Sequence, residues 1–388
     1  GRWFDPTPRY QQIKKDLKNI KKKLQNLFKV VSYKIFILFY GNIKGKTNFE
    51  KDSRIKIQTV KKENNIKYRV FNIKDGRLYT DRIQDTAIIL DNFIVDGPSF
   101  QLRQIDNAKN NVEVEQNIVF RRGTPRIKKN INGKVLSLLT GGAGNNNFWH
   151  WMFDVLPRIA LCEEAIDLNE IDFFLLPDTE EKFQKETLDL LNISKEKRIS
   201  SKFFRHIYCP EIFVTDHPYN ITNDITHDIQ NIPRWIQKWL KKKYINESSV
   251  NNSNLPKKIY IDRKDAKSHD VRSIINEDEV KNFLIKRGFK SLIMKDFHFS
   301  DQVKIFNNAE IVIGLHGAAF ANLCFCKPGT RVVELGTTTT GKMIENIAVI
   351  NGLIHKSISC EHKESEYNQS VHINVSIDLL KKTIEDLD

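Results

Sequence analysis

The sequence has five cysteines in 388 residues and no Cys-x-x-Cys pair. A disulfide scaffold is therefore excluded. Cys324 and Cys326 stand too close together for a usual zinc pair, and the ten histidines are scattered, so no metal site is expected. No run of about 18 uninterrupted apolar residues exists, so no membrane-spanning helix is legible. A lysine-bearing phosphate loop is missing, as is the Gly-x-Ser-x-Gly elbow of the serine hydrolases. The dinucleotide fingerprint Gly-x-Gly-x-x-Gly is also missing, which counts against a nucleotide-cofactor oxidoreductase. The only Asp-x-Asp is Asp386-Leu387-Asp388, a poor position for a metal-held nucleotide. No internal repeat or long low-complexity tract is visible.

What is present is ordinary for a folded protein: 40% hydrophobic and 28% charged residues. At roughly 150 residues per domain, the length suggests two or three domains. The formal charge of +14 is unevenly spread. Residues 1–46 hold twelve basic residues and two acids, 12 − 2 = +10, which leaves +4 for the other 342 residues. A nucleic-acid-binding body would need a basic, aromatic-laced face that +4 does not supply. Within the basic segment, Ile13, Leu17, Ile20, Leu24, Leu27 and Val31 recur at spacings of 4, 3, 4, 3, 4. That spacing predicts one apolar helical stripe with lysines on the other face. Such a helix fits the headgroup layer of an anionic membrane through residues 10–40, or a packed helix of a homodimer.

The chain divides, by pattern, into a basic amphipathic leader (1–46), an N-terminal α/β domain (47–245), a polar linker (246–256), a C-terminal Rossmann-like domain (257–360), and a C-terminal tail or helix (361–388) that would pack back on the N-terminal domain. Strands are expected near 54–60, 67–73, 87–95, 134–140, 171–176 and 207–214, with a turn at Ile73–Arg77. A strongly apolar helix is expected from about Phe148 to Ala165. After the linker, five strands alternate with helices, which predicts a parallel, doubly wound sheet. The helix Glu277–Lys286 is expected to be capped by Asn276 with Glu279 in a capping box, and Ser300 is expected to cap the next one.

Four clusters carry chemistry. Gly314-Leu315-His316-Gly317-Ala318-Ala319-Phe320-Ala321-Asn322 closes a strand and opens a helix, where ligands bind in open α/β sheets. Its small residues allow close backbone approach, and its amides favour a diphosphate. Alternatively they only ease helix–strand packing. Arg263 ends another strand of the same domain and, with Arg272, is a candidate fork for phosphate oxygens. A surface charge cluster would look the same. Glu334, at a third strand end, can accept from a ribose diol or form a structural salt bridge. His150 and Asp154, four apart on the apolar helix, are either a general base with its partner or a satisfied core pair. Asn147 can cap that helix or position substrate.

In order along the chain, these motifs resemble glycosyltransferase family 61. The resemblance runs through Asn147–Arg158, Ile261–Ala266, Arg272–Glu277, Phe299–Gln302, His316–Leu323, Lys327–Thr330 and Val333–Leu335, about half of the chain. The family's His-Gly-Ala-Gly-Leu-Thr-Asn reads here with Ala319, Phe320 and Ala321, and its Ser before the strand-end Arg is Asp262. The resemblance implies a GT-B-like α/β fold of two facing Rossmann-like halves and an inverting, metal-independent transfer from a UDP-sugar. His150 or Asp154 is then the base, and Asn147 and Arg158 face the acceptor. Arg263, Arg272, His316, Gly317, Ala318, Ala319, Asn322 and Glu334 hold the donor. The expected acceptor is a glycan or lipid-linked glycan of a bacterial surface polysaccharide, made by a cytoplasmic enzyme peripheral to the membrane. A non-catalytic glycan-binding homologue is the competing reading.

Overall fold

The computed structural model describes residues 8–47, 52–82, 85–105, 108–111, 114–139, 146–219, 222, 224–245, 255–264, 272–338, 340–362 and 371–387. Most of the expected linker, 246–254, and most of the glycine-rich loop at 141–145 lie outside them.

The first long element is helix α1, Pro8–Tyr40. It leads into a mixed sheet of twelve strands. Strands β1 (Ile55–Glu63) and β2 (Ile66–Thr80) form a hairpin turned by Asn64 and Asn65, at φ 50° and 66°. Two successive residues with positive φ match the twist of a tight hairpin, and asparagine tolerates that region. β3 (Asp85–Leu90) turns through Asp91 and Asn92 in the same way into the short strand Phe93–Ile94. The expected turn at Ile73–Arg77 is corrected. β2 runs through it unbroken, paired antiparallel with β7 (His206–Thr215) on both sides of Asp75. The pairing skips only Asp75, at φ 55°, and Pro210, which has no N–H to give the ladder.

Beyond β7 the sheet is parallel, in the order β7, β4 (Lys134–Ser137), β5 (Phe173–Leu176) and β6 (Arg198–Ser200). Helix α2 (Leu156–Cys162) and helix α3 (Lys182–Leu190) fall between these strands in sequence. Only this half of the first sheet is Rossmann-like; antiparallel hairpins extend it, which corrects the expectation of two like halves. Helix α4 (Arg234–Tyr244) closes the N-terminal portion.

The second sheet is fully parallel, in the order β9 (Lys290–Ile293), β8 (Lys258–Asp262), β10 (Ile311–Leu315), β11 (Arg331–Gly336), β12 (Ile354–Ser359). Helices α5 (Glu277–Lys286), α6 (Phe299–Asn308) and α7 (Met343–Ile350) alternate with the strands, as the doubly wound pattern predicts. The order reverses between β8 and β10, which opens a crevice at their carboxyl ends.

Two helix caps differ from expectation. Asn276 precedes α5 but makes no cap bond. Its side chain instead accepts from the Val375 amide and donates to the Val375 carbonyl, both at 2.9 Å. α6 is capped by His298, whose ring accepts from the Ser300 amide, rather than by Ser300. The C-terminal helix α8 (Ile377–Glu385) buries Leu380 and Ile384 in a core with Tyr260, Ile313 and Val333. It therefore packs on the second sheet, not on the N-terminal portion. The ordering of residues 371–375 against Asn276 directs it there.

One continuous apolar core crosses between the sheets. It joins Leu136, Phe153 and Trp239 with Ile259, Phe299 and Val332. Phe299 is fully buried against Tyr244, Phe325 and Phe148, at ring separations of 5.0, 5.8 and 6.3 Å. Its amide donates to Glu186 at 2.7 Å, a buried bond across the junction.

Candidate active site

The helix expected from Phe148 is helical to Cys162 but not uniformly so. One turn, Phe148–His150, passes into a π-turn, Trp151–Val155, before α2 begins with Pro157 in its first turn. Proline lacks an N–H and its ring crowds the carbonyl four residues earlier, so the wider π-turn accommodates Pro157. Asn147 caps the first turn, accepting from the Trp149 amide at 2.8 Å. Trp149, Trp151, Met152, Phe153 and Val155 are buried, which fixes the turn rigidly.

His150 and Asp154 stand on this turn with Nδ1 to Oδ2 at 2.6 Å. Asp154 is wholly buried, and the His150 side chain is 23% exposed. A carboxylate on Nδ1 fixes the tautomer with Nδ1–H, leaving Nε2 as the basic nitrogen. Under the pair lies Arg158, buried, whose guanidinium donates to the Asp154 carbonyl and to Thr215. Burial depresses its pKa to about 10, against the pull of Asp154. Arg158 is thus buried beneath the His150–Asp154 pair rather than exposed at the surface.

Two residues that the sequence did not single out complete this side. The Tyr219 hydroxyl is pushed well above its usual pKa by burial and then by the Asp154 charge. His217 is held well below the usual histidine range by burial first, then by the neighbouring Arg158 and His150. Its ring packs edge-on to Tyr219 at 4.7 Å and against Phe100 at 5.1 Å. They lie on the segment leaving β7, which sequence spacing does not link to His150.

The second half of the site is at the β8–β10 crevice. Arg263, just past β8, donates to the His316 carbonyl. Arg272 donates to the same oxygen at 3.1 Å, and burial lowers its pKa. Two guanidinium groups converge there on one neutral acceptor. Gly317 makes the approach possible, since a Cβ there would stand 2.9 Å from the Arg263 guanidinium carbon. Ala318 and Ala319 open a 3₁₀ helix, Ala318–Phe325, tighter than the expected α-helix, ahead of its first bond, Phe320 to Gly317 at 3.1 Å. A small open cleft adjoins, lined by Arg272, His316, Gly336, Thr337, Thr340 and Ile373 among others.

Glu334 does not face this cleft as a ribose acceptor. It is buried, with His316 Nδ1 on one oxygen at 2.5 Å and His355 Nε2 on the other at 2.9 Å. Burial pushes its pKa up, but the two imidazoles outweigh that and hold it below the usual glutamate range. With Nδ1 on Glu334, His316 has Nε2 as its remaining ring nitrogen at the edge of the cleft. His355 on β12 was not foreseen; it reaches Glu334 only because β12 pairs beside β11. Asn322 is likewise not at the surface. It is fully buried and donates to Gln302 at 3.1 Å, bracing the 3₁₀ helix against α6. Asp262 turns away from the crevice to Lys281, at 2.7 Å, and to the Lys264 amide at 2.9 Å. Among the described residues, no group of three or more His, Cys, Asp or Glu side chains is arranged to hold a metal ion.

The two halves meet: the Phe148–His150 turn packs directly on the Ala318–Phe325 helix. The architecture is that of an α/β protein with a cationic crevice at a strand-order reversal and a His–Asp pair beside it. Residues 148–333, just under half of the chain, match the family model Glycosyltransferase 61. An EGF domain-specific O-linked N-acetylglucosamine transferase of Gallus gallus is 28% identical over 112 residues, 28% of this chain and 21% of that protein. Its Mus musculus counterpart is 30% identical over 93 residues, 23% of this chain and 18% of that protein. The matches thus span about a fifth of the length of these curated relatives. Among solved structures, a flavo di-iron protein mutant from Thermotoga maritima aligns over 86% of this chain and 100% of its own, at 10% identity and a TM-score of 0.22, too low to bear on the fold.

Proposed function

We propose that the chain is an inverting glycosyltransferase with a GT-B-like arrangement. It moves a sugar from a UDP-sugar to a hydroxyl of a glycan or lipid-linked glycan, as in surface polysaccharide synthesis. One observation carries the reading. The turn bearing His150 packs on the helix that follows His316, so a candidate base and a candidate diphosphate site stand on adjoining elements.

The acceptor hydroxyl gives its proton to His150 Nε2 as its oxygen attacks the anomeric carbon. The bond from that carbon to the diphosphate oxygen breaks on the opposite face, and its electron pair leaves with UDP. Asp154 stabilises the imidazolium that forms. Arg263 and Arg272 oppose the charge developing on the leaving diphosphate, so no metal is required in this scheme. The small residues Gly317, Ala318 and Ala319 let the diphosphate approach the backbone.

The test is a thermal-shift titration with UDP and UDP-sugars, with and without chelator, paired with a transfer assay. The expected result is stabilisation by UDP that chelator leaves unchanged. His150→Ala should keep that stabilisation while transfer falls by about 10²–10⁴-fold, the usual contribution of a general base. Strict dependence of UDP binding on a divalent ion would overturn the diphosphate site. Full transfer activity in both His150→Ala and Asp154→Asn would overturn the base.

A further inference from the structure

Helix α1 meets the rest of the protein with one end and one face. Its last two turns are docked. The Tyr40 hydroxyl accepts from the Lys128 amide at 3.0 Å, and its ring packs edge-on to His206 at 4.8 Å. Arg122 stacks over Tyr33 at 5.7 Å, and Ile37 covers Gly123. At about 100° per residue, Tyr33, Ile37 and Tyr40 define one narrow face.

The apolar stripe is elsewhere. Leu17, Ile20, Leu24, Leu27, Phe28, Val31, Ile35, Leu38 and Phe39 are all exposed, Leu38 by 86% and Phe39 by 77%. On the same count these nine centre about half a turn round from the docked face, so the body of the protein cannot cover them. Lys21, Lys23 and Lys34 flank the stripe and are exposed. Across Pro8–Tyr40 there are nine basic residues and one acid, Asp16, so the helix carries 9 − 1 = +8.

We propose that α1 lies along the surface of an anionic lipid bilayer, its stripe in the acyl boundary and its flanking lysines among the headgroup phosphates. Lysine stems reach sideways from such a position with their ammonium groups at the phosphate level. The charge decides the partner. A second copy of the helix, paired along the stripe, would bring two +8 surfaces together with one acid each to offset them. It would also set Lys34 in the seam, at the place the 3-4 spacing reserves for an apolar residue. An anionic surface meets the same lysines favourably. The helix is not long and apolar enough to cross a membrane, so it rests on one leaflet.

Vesicle flotation of the full chain tests this, with phosphatidylcholine alone and with phosphatidylcholine mixed with phosphatidylglycerol. The expected result is binding to the mixed vesicles only, weakened by salt. The double substitution Leu24→Glu with Leu27→Glu should weaken it about tenfold or more. These leucines are exposed, so the fold should persist, checked by an unchanged thermal-shift response to UDP. Absence of binding to phosphatidylglycerol vesicles, equal binding to neutral ones, or a stable dimer in analytical ultracentrifugation that the same two substitutions dissociate would each overturn it. UDP binding is read separately, so failure here leaves the glycosyltransferase reading standing.

Discussion

Glu334 holds two imidazoles on one buried carboxylate. That makes it a positioning residue for His316 rather than a contact to ribose. Because its pKa lies below the usual value in the folded state, its contribution is present above the unfolded value near 4.3 and is lost as pH falls through the native one. Glu334→Gln should cost about 1–3 kcal/mol at neutral pH. In thermal melts followed from pH 7 downward, its deficit against the parent protein should shrink below about pH 4. A deficit independent of pH would remove the charge from the explanation. The same substitution should weaken UDP binding, because the His316 ring, which lines the crevice, loses the partner that orients it.

Helices and strands here are steered by what crosses between them. Asn276 sits where sequence rules expect a cap, yet its amide is spent on both backbone groups of Val375. The capping bond is a local option, while the clamp on the C-terminal segment satisfies two buried groups at once. Asn276→Ala should therefore cost about 1–2 kcal/mol, and hydrogen exchange should rise in residues 371–387 rather than in the first turn of α5. Faster exchange confined to α5 would instead restore the cap. The π-turn at Trp151–Val155 is a second case. Its cause, Pro157, is plain in the sequence, but proline predicts only that the ladder must open, not whether as a kink or a π-turn.

At the scale of the whole molecule, the continuous core across both sheets joins the His150–Asp154 turn to the β8–β10 crevice. Phe299 links α6 to Phe148, two residues before His150, and its amide is held by Glu186. Unfolding should be a single transition, with calorimetric and van't Hoff enthalpies in agreement. Phe299→Ala should lower stability by about 3–5 kcal/mol and reduce transfer as well. Two separated calorimetric peaks would show that the halves are independent.

The second sheet was legible in the sequence because apolar strands alternating with amphipathic helices are a local pattern. Its five strands and three helices appear within a few residues of expectation. So were Arg263, His316 and the His150–Asp154 pair, since strand ends and i, i+4 spacing are local too. The family match over residues 148–333 agrees with the order of the motifs. What the tertiary structure decided was which polar residues face a ligand. Asn322, Arg158 and Glu334 read as contacts in the sequence, but burial turned each to a protein partner. His355, His217 and Tyr219 were unmarked, because strand pairing and burial, not spacing, bring them to the site. Sequence alone fixes the chemistry a residue offers and the face of the element that carries it. Whether that side chain meets a neighbour or a substrate depends on what the chain packs against it.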